Sequence, residues 1–523
     1  MLTAVDCEID TKRIADISFC YMGANLLRPL KPLSIALAIA LSSSAQGQQT
    51  LINLRDLNGS NGVSLPGTDI GGSSGWSVAG GADINGDGFQ DFAIGTPNAE
   101  YGEFEGKVFV VFGGRFSGQS TVRLSDIGAG DGFVVTGGDR RSYAGITVDI
   151  TTDINGDGLA DLLVQSRAPE GQAGGAYVLF GGTSTSDVRL DNLQTERGIT
   201  ISGTRPSGVG DINGDGFSDI GFQCSNDELT RTDACFLFGS STSFPSLVSR
   251  QSLTEGRGLI VSQETMDTGR FLIDGAGDFN GDGVQDFLFR TGCCDVGLVF
   301  GSETSLPNVM NPQNLNGVSG LTFTATGLAQ TARLNASGAG DINNDGIDDL
   351  VLGLTGFGQS PFANRGAVFV VYGSRSAFPA VFELADLDPS TGQWAVGVSS
   401  RDVLGSALDA AGDVNGDGID DFIVGAREAG VGGEAYVIFG GDGINSATPG
   451  SLITELSGVA LRGTVFGDQA GWSVSGAGDE NGDGLDDVIV GAPYADPGFA
   501  YEGESYLVYG NDPNRIYANG FER

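Results

Sequence analysis

The residues best suited to chemistry in this chain of 523 residues are aspartates at a fixed spacing. Each set offers carboxylates at positions 1, 5 and 9 of a nine-residue pattern, an amide oxygen at position 3 and a main-chain carbonyl at position 7. Hard oxygen donors in this number are what Ca²⁺ prefers. The pattern, D-x-N-[GN]-D-G-x-x-D, occurs seven times and starts at Asp83, Asp153, Asp211, Asp278, Asp341, Asp413 and Asp479.

We therefore predict up to seven Ca²⁺ sites that serve stability rather than catalysis. The predicted ligands, copy by copy, are Asp83, Asn85, Asp87, Phe89 and Asp91; Asp153, Asn155, Asp157, Leu159 and Asp161; Asp211, Asn213, Asp215, Phe217 and Asp219; Asp278, Asn280, Asp282, Val284 and Asp286; Asp341, Asn343, Asp345, Ile347 and Asp349; Asp413, Asn415, Asp417, Ile419 and Asp421; Asp479, Asn481, Asp483, Leu485 and Asp487.

The residues between these donors fit a wrapped loop. Positions 4 and 6 are glycine in every copy except at Asn344, and asparagine is the residue that best replaces glycine in a left-handed conformation. An EF-hand is excluded, because position 12 is apolar in all seven copies where that loop needs glutamate. The alternative interpretation is a set of Asp- and Gly-rich turns without metal.

A second mark shows which elements hold these loops. An aromatic residue followed by glycine ends an apolar run after each copy, at Phe112, Phe180, Phe238, Phe300, Tyr372, Phe439 and Tyr509. The copies start 58 to 72 residues apart, and the stretches between them read as four short strands without helical periodicity. Seven repeats of this length, each with four short strands, predict an all-β, seven-bladed β-propeller.

The last repeat supplies only three strands before Gly510. We therefore expect an N-terminal strand near Gly62 to Gly67 to complete the last blade. The third repeat has only eight residues between Gly203 and Asp211, so its first strand is expected to be short or irregular.

With these marks the repeat resembles the FG-GAP repeat of integrin α-subunit propellers and their bacterial relatives. Gly491-Ala492-Pro493 and Gly95-Thr96-Pro97 look like its Gly-Ala-Pro element, whereas Gly425-Ala426-Arg427 departs at the proline. The resemblance implies calcium in hairpin loops on one face of the propeller and extracellular adhesion or recognition. Integrins also need a β-subunit, and no residue of this sequence indicates one.

Composition excludes several functions. The chain has 27 basic and 66 acidic residues, a formal charge of −39, so we expect no nucleic-acid binding. It has no histidine, which removes His-dependent catalysis and His-ligated metals. We expect a calcium-binding recognition or adhesion module without enzyme activity. A non-catalytic scaffold, or a polysaccharide hydrolase or lyase using Asp with Arg or Tyr, is the alternative.

The two ends predict export. Residues 1–45 read as a signal peptide whose true start is Met22, residues 46–511 as the propeller and residues 512–523 as a short C-terminal tail. The product is expected to be secreted or at the cell surface, monomeric and without a membrane span. Cys224 and Cys235 flank one loop and would clip it if oxidised, with buried or free thiols as the alternative.

Arginines recur in the segments that lead into the first strands of blades two to six. On the face opposite the calcium loops they would form an anion-binding mouth for an acidic glycan or a partner's acidic side chains, with solubilising surface residues as the alternative. These candidates are Arg141, Arg205, Arg270, Arg333 and Arg401. Trp76 and Trp472 lie seven residues before their motif aspartates and are expected in the core.

Overall fold

A computed structural model describes residues 49–511, apart from 100–102, 129, 139, 168–174, 185, 226–231, 263–271, 293, 305, 329–332, 359–362, 442–449 and 499–500. The chain divides into two units, residues 1–46 and 47–523, and every described residue lies in the second. The predicted signal peptide and C-terminal tail fall outside the described residues.

Seven antiparallel sheets form the blades of a β-propeller, as predicted. The strands of each blade are given from the innermost outwards. Blade one holds β3 Ser77–Ala82, β4 Asp91–Thr96, β5 Lys107–Val111 and β6 Gly132–Thr136; blade two holds β7 Val148–Thr151, β8 Asp161–Gln165, β9 Ala176–Leu179 and β11 Gly198–Ile201; and blade three holds β12 Thr204–Gly210, β13 Asp219–Ser225, β14 Thr232–Leu237 and β16 Gly258–Val261.

Blade four holds β17 Ile273–Gly277, β18 Asp286–Arg290, β19 Asp295–Val299 and β21 Gly320–Thr324; blade five holds β22 Leu334–Gly340, β23 Asp349–Leu354, β24 Ala367–Val371 and β26 Gly392–Val396; blade six holds β27 Leu408–Gly412, β28 Asp421–Ala426, β29 Glu434–Ile438 and β31 Gly458–Arg462; and blade seven holds β32 Ser473–Gly478, β33 Asp487–Ala492, β34 Glu504–Val508 and β2 Gly62–Pro66.

Six blades gain a fifth strand that pairs in parallel with their outer strand. Five of them come from the connection between the third and fourth strands of the following blade: β10 Val188–Arg189, β15 Leu247–Val248, β20 Val309–Met310, β25 Val381–Glu383 and β30 Ser451–Leu452. The sixth, β1 Thr50–Asn53, pairs with the outer strand of blade six and comes from the segment that precedes β2. A short helical segment precedes the fourth strand of every blade, at Leu54–Asp56, Leu124–Asp126, Leu190–Asn192, Arg250–Ser252 with Leu253–Arg257, Pro312–Asn314, Leu384–Asp386 and Ile453–Glu455.

The ring closes as predicted. Strand β2 pairs antiparallel with β34 in a register that runs from Gly62 opposite Val508 to Pro66 opposite Glu504. Val63 and Leu65 are fully buried in this strand. The N-terminal strand therefore completes the last blade and hides an edge that would otherwise expose unpaired backbone groups.

The first strand of the third repeat is irregular, which is one of the two outcomes expected. This strand, β12, spans seven residues and is not short, although its pairing with β13 shifts register after Thr204. The number of residues between Gly203 and Asp211 did not show the strand length, because the connection to β11 consists of only Ser202 and Gly203. Residues that form a loop in other repeats are part of the strand here. In the same blade Cys224 and Cys235 form a disulfide between β13 and β14.

Apolar side chains of the blade faces fill the spaces between blades. Phe236 of blade three, for example, lies with its ring centroid 4.3 Å from that of Phe287 in blade four. The first strands, β3, β7, β12, β17, β22, β27 and β32, contact one another around a central channel. No helix among the described residues has the length and hydrophobicity needed to cross a bilayer.

Candidate functional site

The seven aspartate loops all join the first strand of a blade to the second, on one face of the ring. The aspartate at position 1 organises each loop. Its two carboxylate oxygens accept hydrogen bonds from the N–H of position 5, at 2.9–3.3 Å, and of position 6, at 2.7–2.9 Å, in all seven copies. Asn344 has φ 59°, the left-handed conformation predicted for it.

The aspartate at position 9 links the two sequence marks. It is the first residue of the second strand and is fully buried in every blade. One of its carboxylate oxygens accepts a hydrogen bond, at 2.7–3.0 Å, from the N–H of the glycine in the aromatic-glycine mark. A side chain on that glycine would not fit, since at Gly181 an added Cβ would meet the Ala160 carbonyl oxygen at 2.3 Å.

The buried aspartates are held in an environment that disfavours their negative charge. Burial, reinforced by the charges of the position 1 and position 5 carboxylates, raises the pKa of these groups. The pKa is raised to about 7 for Asp91 and Asp161, to about 8 for Asp219, Asp286, Asp349 and Asp421, and well above its usual range for Asp487. A cation beside such a carboxylate would stabilise the ionised form.

Neighbouring loops are bonded to each other around the whole ring. The residue after each aromatic-glycine pair donates its N–H to the carbonyl of position 2 in the preceding blade, at 2.7–3.0 Å. The bond from Gly114 to Glu480 closes this series between blades one and seven. At position 8, Asp348, Asp420 and Asp486 accept the N–H of the position 1 aspartate in the preceding blade.

The donor set of each loop fits calcium, with three carboxylates and an amide oxygen within nine residues. In the described part of the chain these side chains bond to loop N–H groups and are not gathered as a ready-made cluster of three acidic ligands. In blade one, Arg115 also forms an ion pair with Asp87, with 2.8 Å between Nη2 and Oδ2.

On the opposite side of the channel four arginines line one cavity of about 350 Å³. Arg205 and Arg333 were predicted there, and Arg290 and Arg427 join them. Arg290 is almost fully buried and its Nη2 donates to Asn335 Oδ1 at 3.4 Å. The cavity therefore concentrates guanidinium groups in a chain that is strongly acidic as a whole.

The other predicted arginines lie elsewhere. Arg141 and Arg401 are exposed, adopt positive φ and do not line this cavity, and Arg270 falls outside the described residues. The two additional arginines replace elements of the Gly-Ala-Pro mark: Arg290 stands four residues after the position 9 aspartate, where four blades have glycine, and Arg427 stands at the proline position. Those two departures from the repeat were the signal for them.

Trp76 and Trp472 are not core residues, contrary to expectation. Both are half-buried and border a second cavity, of about 470 Å³, which shares Arg205 and Arg427 with the arginine cavity. Their ring centroids are 4.9 Å apart, and the guanidinium carbon of Arg427 lies 4.6 Å from the centroid of Trp472. Each stands directly before a first strand, β3 or β32, at the end of the strand that borders this cavity.

Comparison with known proteins identifies the repeat. The FG-GAP repeat matches residues 74–111, 404–438 and 470–508. The chain is 32% identical over 198 residues to mouse (Mus musculus) phosphatidylinositol-glycan-specific phospholipase D, covering 36% of this chain and 22% of that protein. It is 29% identical over 235 residues to integrin alpha pat-2 of Caenorhabditis elegans, covering 41% of this chain and 17% of that protein.

The chain spans only about a fifth of the length of these relatives. The matched stretches lie within the propeller and include three of the seven aspartate loops. They agree with the aspartate loops and aromatic-glycine pairs that divide the sequence into seven units. The chain is therefore a seven-bladed β-propeller that carries FG-GAP repeats, similar over part of its length to integrin alpha chains and phosphatidylinositol-glycan-specific phospholipase D.

Proposed function

We propose that this propeller is a secreted or cell-surface recognition module, active in adhesion, that binds an anionic group of a protein or glycan ligand at its arginine-lined mouth. The observation that carries the proposal is the convergence of Arg205, Arg290, Arg333 and Arg427 on one cavity. Planar guanidinium groups recognise carboxylate and sulfate through paired hydrogen bonds. The similarity to integrin alpha chains supports ligand binding by the propeller as its role.

Calcium belongs to the same proposal. In blade two, Asp153, Asn155, Asp157 and Asp161 would hold one ion with the main-chain carbonyl of Leu159, and the equivalent residues would do so in the other blades. The support is the buried position 9 carboxylate, whose raised pKa a divalent cation would bring down. Calcium would stabilise the face opposite the ligand mouth and take no part in a reaction.

The activity proposed is binding without catalysis. The chain has no histidine to serve as a general base, and the loop carboxylates are engaged with main-chain N–H groups. The phospholipase named among the relatives shares only 22% of its length with this chain, so its activity is not transferred here. A scaffold without a specific ligand and a polysaccharide-active enzyme are the competing outcomes of the test below.

The test is a binding measurement on acidic and neutral glycans and on matrix proteins, with calcium present. The double variant Arg205→Ala/Arg333→Ala should weaken binding of an acidic ligand by tenfold or more, because each lost charged hydrogen bond contributes about 1.5–3 kcal/mol. The matched control is Arg141→Ala/Arg401→Ala, which removes two arginines outside the cavity.

Equal losses in both double variants would mean that general charge attraction, and not the cavity, holds the ligand. Binding by neither the unaltered chain nor any variant would favour the scaffold. Release of reducing ends or unsaturated products from a polysaccharide would establish the enzyme instead.

A further inference from the structure

One ring of residues lies at matching positions of the first strands, which surround the central channel. Four residues before each motif aspartate, the first strands carry Ala79, Asp149, Ser207, Asp274, Ser337, Asp409 and Ser475. Aspartate and serine alternate from blade two to blade seven, and alanine stands in blade one because an odd number of blades cannot alternate completely. The aspartates of this ring lie on cavities that reach it from both faces.

Each ring aspartate is positioned by the serine of the following blade. Ser207 Oγ donates to Asp149 Oδ2 at 3.0 Å, and the N–H of Gly208 donates to the same oxygen at 2.8 Å. The hydroxyls of Ser337 and Ser475 interact in the same way with Asp274 and Asp409, and the N–H of Gly476 donates to Asp409 Oδ2 at 3.2 Å. The carboxylates are thus held in place and are oriented by donors from a neighbouring strand.

The cavity of about 470 Å³ next to the arginine cavity is lined by acidic, basic and aromatic residues together. Its floor includes the three ring aspartates, its rim includes Arg205 and Arg427, and Trp76 with Trp472 forms an aromatic wall. Its volume lies in the range of small-molecule sites, which are typically about 300–1,000 Å³.

The mixture of charges selects the ligand. A small anion would meet three carboxylates, and a small cation would meet two guanidinium groups. Sugar hydroxyls can donate to carboxylates and accept from guanidinium groups at the same time, and the apolar face of a sugar ring can lie on tryptophan.

We propose that a neutral hexose residue binds in this cavity, against Trp76 and the ring of Asp149, Asp274 and Asp409. The adjoining arginine cavity then holds the acidic group of the same glycan, since the two cavities share Arg205 and Arg427. This assignment rests on the proposed function and makes the ligand an acidic glycan with a neutral sugar next to its charged unit.

The chain carries its own reporter for this site. Of its three tryptophans, Trp76 and Trp472 border the cavity, while Trp394 lies in blade five with its ring 5.7 Å from Phe369. The probes are hexuronyl-hexose disaccharides of gluco, galacto and manno configuration, the matching neutral disaccharides and the free hexuronic acids. Each is titrated into the Trp394→Phe chain while tryptophan fluorescence is recorded, and into the unaltered chain by calorimetry.

We expect at least one acidic disaccharide to bind saturably, change the fluorescence and bind more tightly than its free hexuronic acid. Asp149→Asn and Asp409→Asn should each weaken that binding about tenfold or more, because each replaces one of the two carboxyl oxygens by an NH2 group, which cannot accept, without changing shape. Asp126→Asn, at an exposed residue of the short helix Leu124–Asp126 outside the cavity, is the control and should leave the affinity unchanged.

Two results overturn the hexose site while the arginine site stands: free hexuronic acid that binds as tightly as the disaccharide, or disaccharide binding that changes no fluorescence and is indifferent to both Asp→Asn variants. Absence of saturable binding by every probe overturns the hexose site and the acidic-glycan form of the proposed function together.

Discussion

The aspartate at position 9, a predicted calcium ligand, is also a structural residue. It accepts main-chain hydrogen bonds from two directions, one from the loop and one from the glycine that ends the third strand. The position 5 aspartate of the same loop is exposed and bonds only within the loop. The two positions therefore separate a structural contribution from a calcium contribution.

For blade six we predict that Asp421→Asn lowers the free energy of unfolding in EGTA by about 1–3 kcal/mol, since the amide can accept only one of the two buried bonds and leaves the other N–H unsatisfied. Asp417→Asn should leave stability in EGTA unchanged and reduce the gain on adding calcium. Chemical denaturation of both variants, with and without Ca²⁺, checks this. An Asp421→Asn chain as stable in EGTA as the unaltered one would contradict the structural role.

The buried carboxylates also predict how stability depends on pH. Their pKa is about 7 to 8 in the fold and 3.8 when unperturbed, so between these values the folded chain binds more protons than the unfolded chain. Stability without calcium should therefore fall as pH rises from about 5 to 8. Calcium should weaken this trend, because it stabilises the ionised form. Melting temperatures in EGTA that stay level or rise over this range would contradict the prediction.

At the scale of the strands, β2 supplies the outer edge of blade seven. Leu65 is fully buried there, whereas Leu51 in the preceding strand β1 is about half exposed. Leu65→Ala should cost about 2–5 kcal/mol of stability. Leu51→Ala should change stability by less than about 0.5 kcal/mol.

Deletion of residues 46–70 should lower the melting temperature more than either substitution, since it removes β1 as well as β2. Thermal unfolding of the three variants measures the series. If the deletion leaves the melting temperature unchanged, the closure does not stabilise the ring.

The features that could be predicted from the sequence are those that repeat within a short stretch of chain. The aspartate loop and the aromatic-glycine pair are local, so their seven copies reveal seven blades and the order of strands within each. The glycine's role follows only from the fold, because its partner, the position 9 aspartate, lies 15 to 24 residues away on an adjacent strand. The length of β12 could not be predicted because a count of residues does not distinguish a strand from a loop.

The residues that line the channel could not be predicted from the sequence, for a different reason. Its ring of alternating aspartate and serine takes one residue from each blade, and such a set is visible only once the first strands are known to face a common axis. The same holds for Arg290, which lies far along the sequence from Arg205 and Arg427 yet borders the same cavity. The arginine cavity and the ring of aspartates and serines are formed by residues of different blades, so no pattern within a single repeat reveals them.

Around the complete ring, each loop is hydrogen-bonded to the next. Calcium bound in one blade would therefore also stabilise the loop of its neighbour. We predict that EGTA lowers the melting temperature of the unaltered chain markedly. At a free calcium concentration 100 times the dissociation constant, each filled site adds roughly 2.7 kcal/mol. Calorimetric scans in EGTA, in calcium and in magnesium measure it, and identical scans in all three would contradict calcium binding by the loops.

The pairing of β2 with β34 also decides how the ring would respond to a mechanical load. Gly62 lies opposite Val508, so the chain that precedes β2 and the chain that follows β34 leave the ladder at the same end. Tension applied across these two segments would open the ladder one hydrogen bond at a time, as a zipper opens.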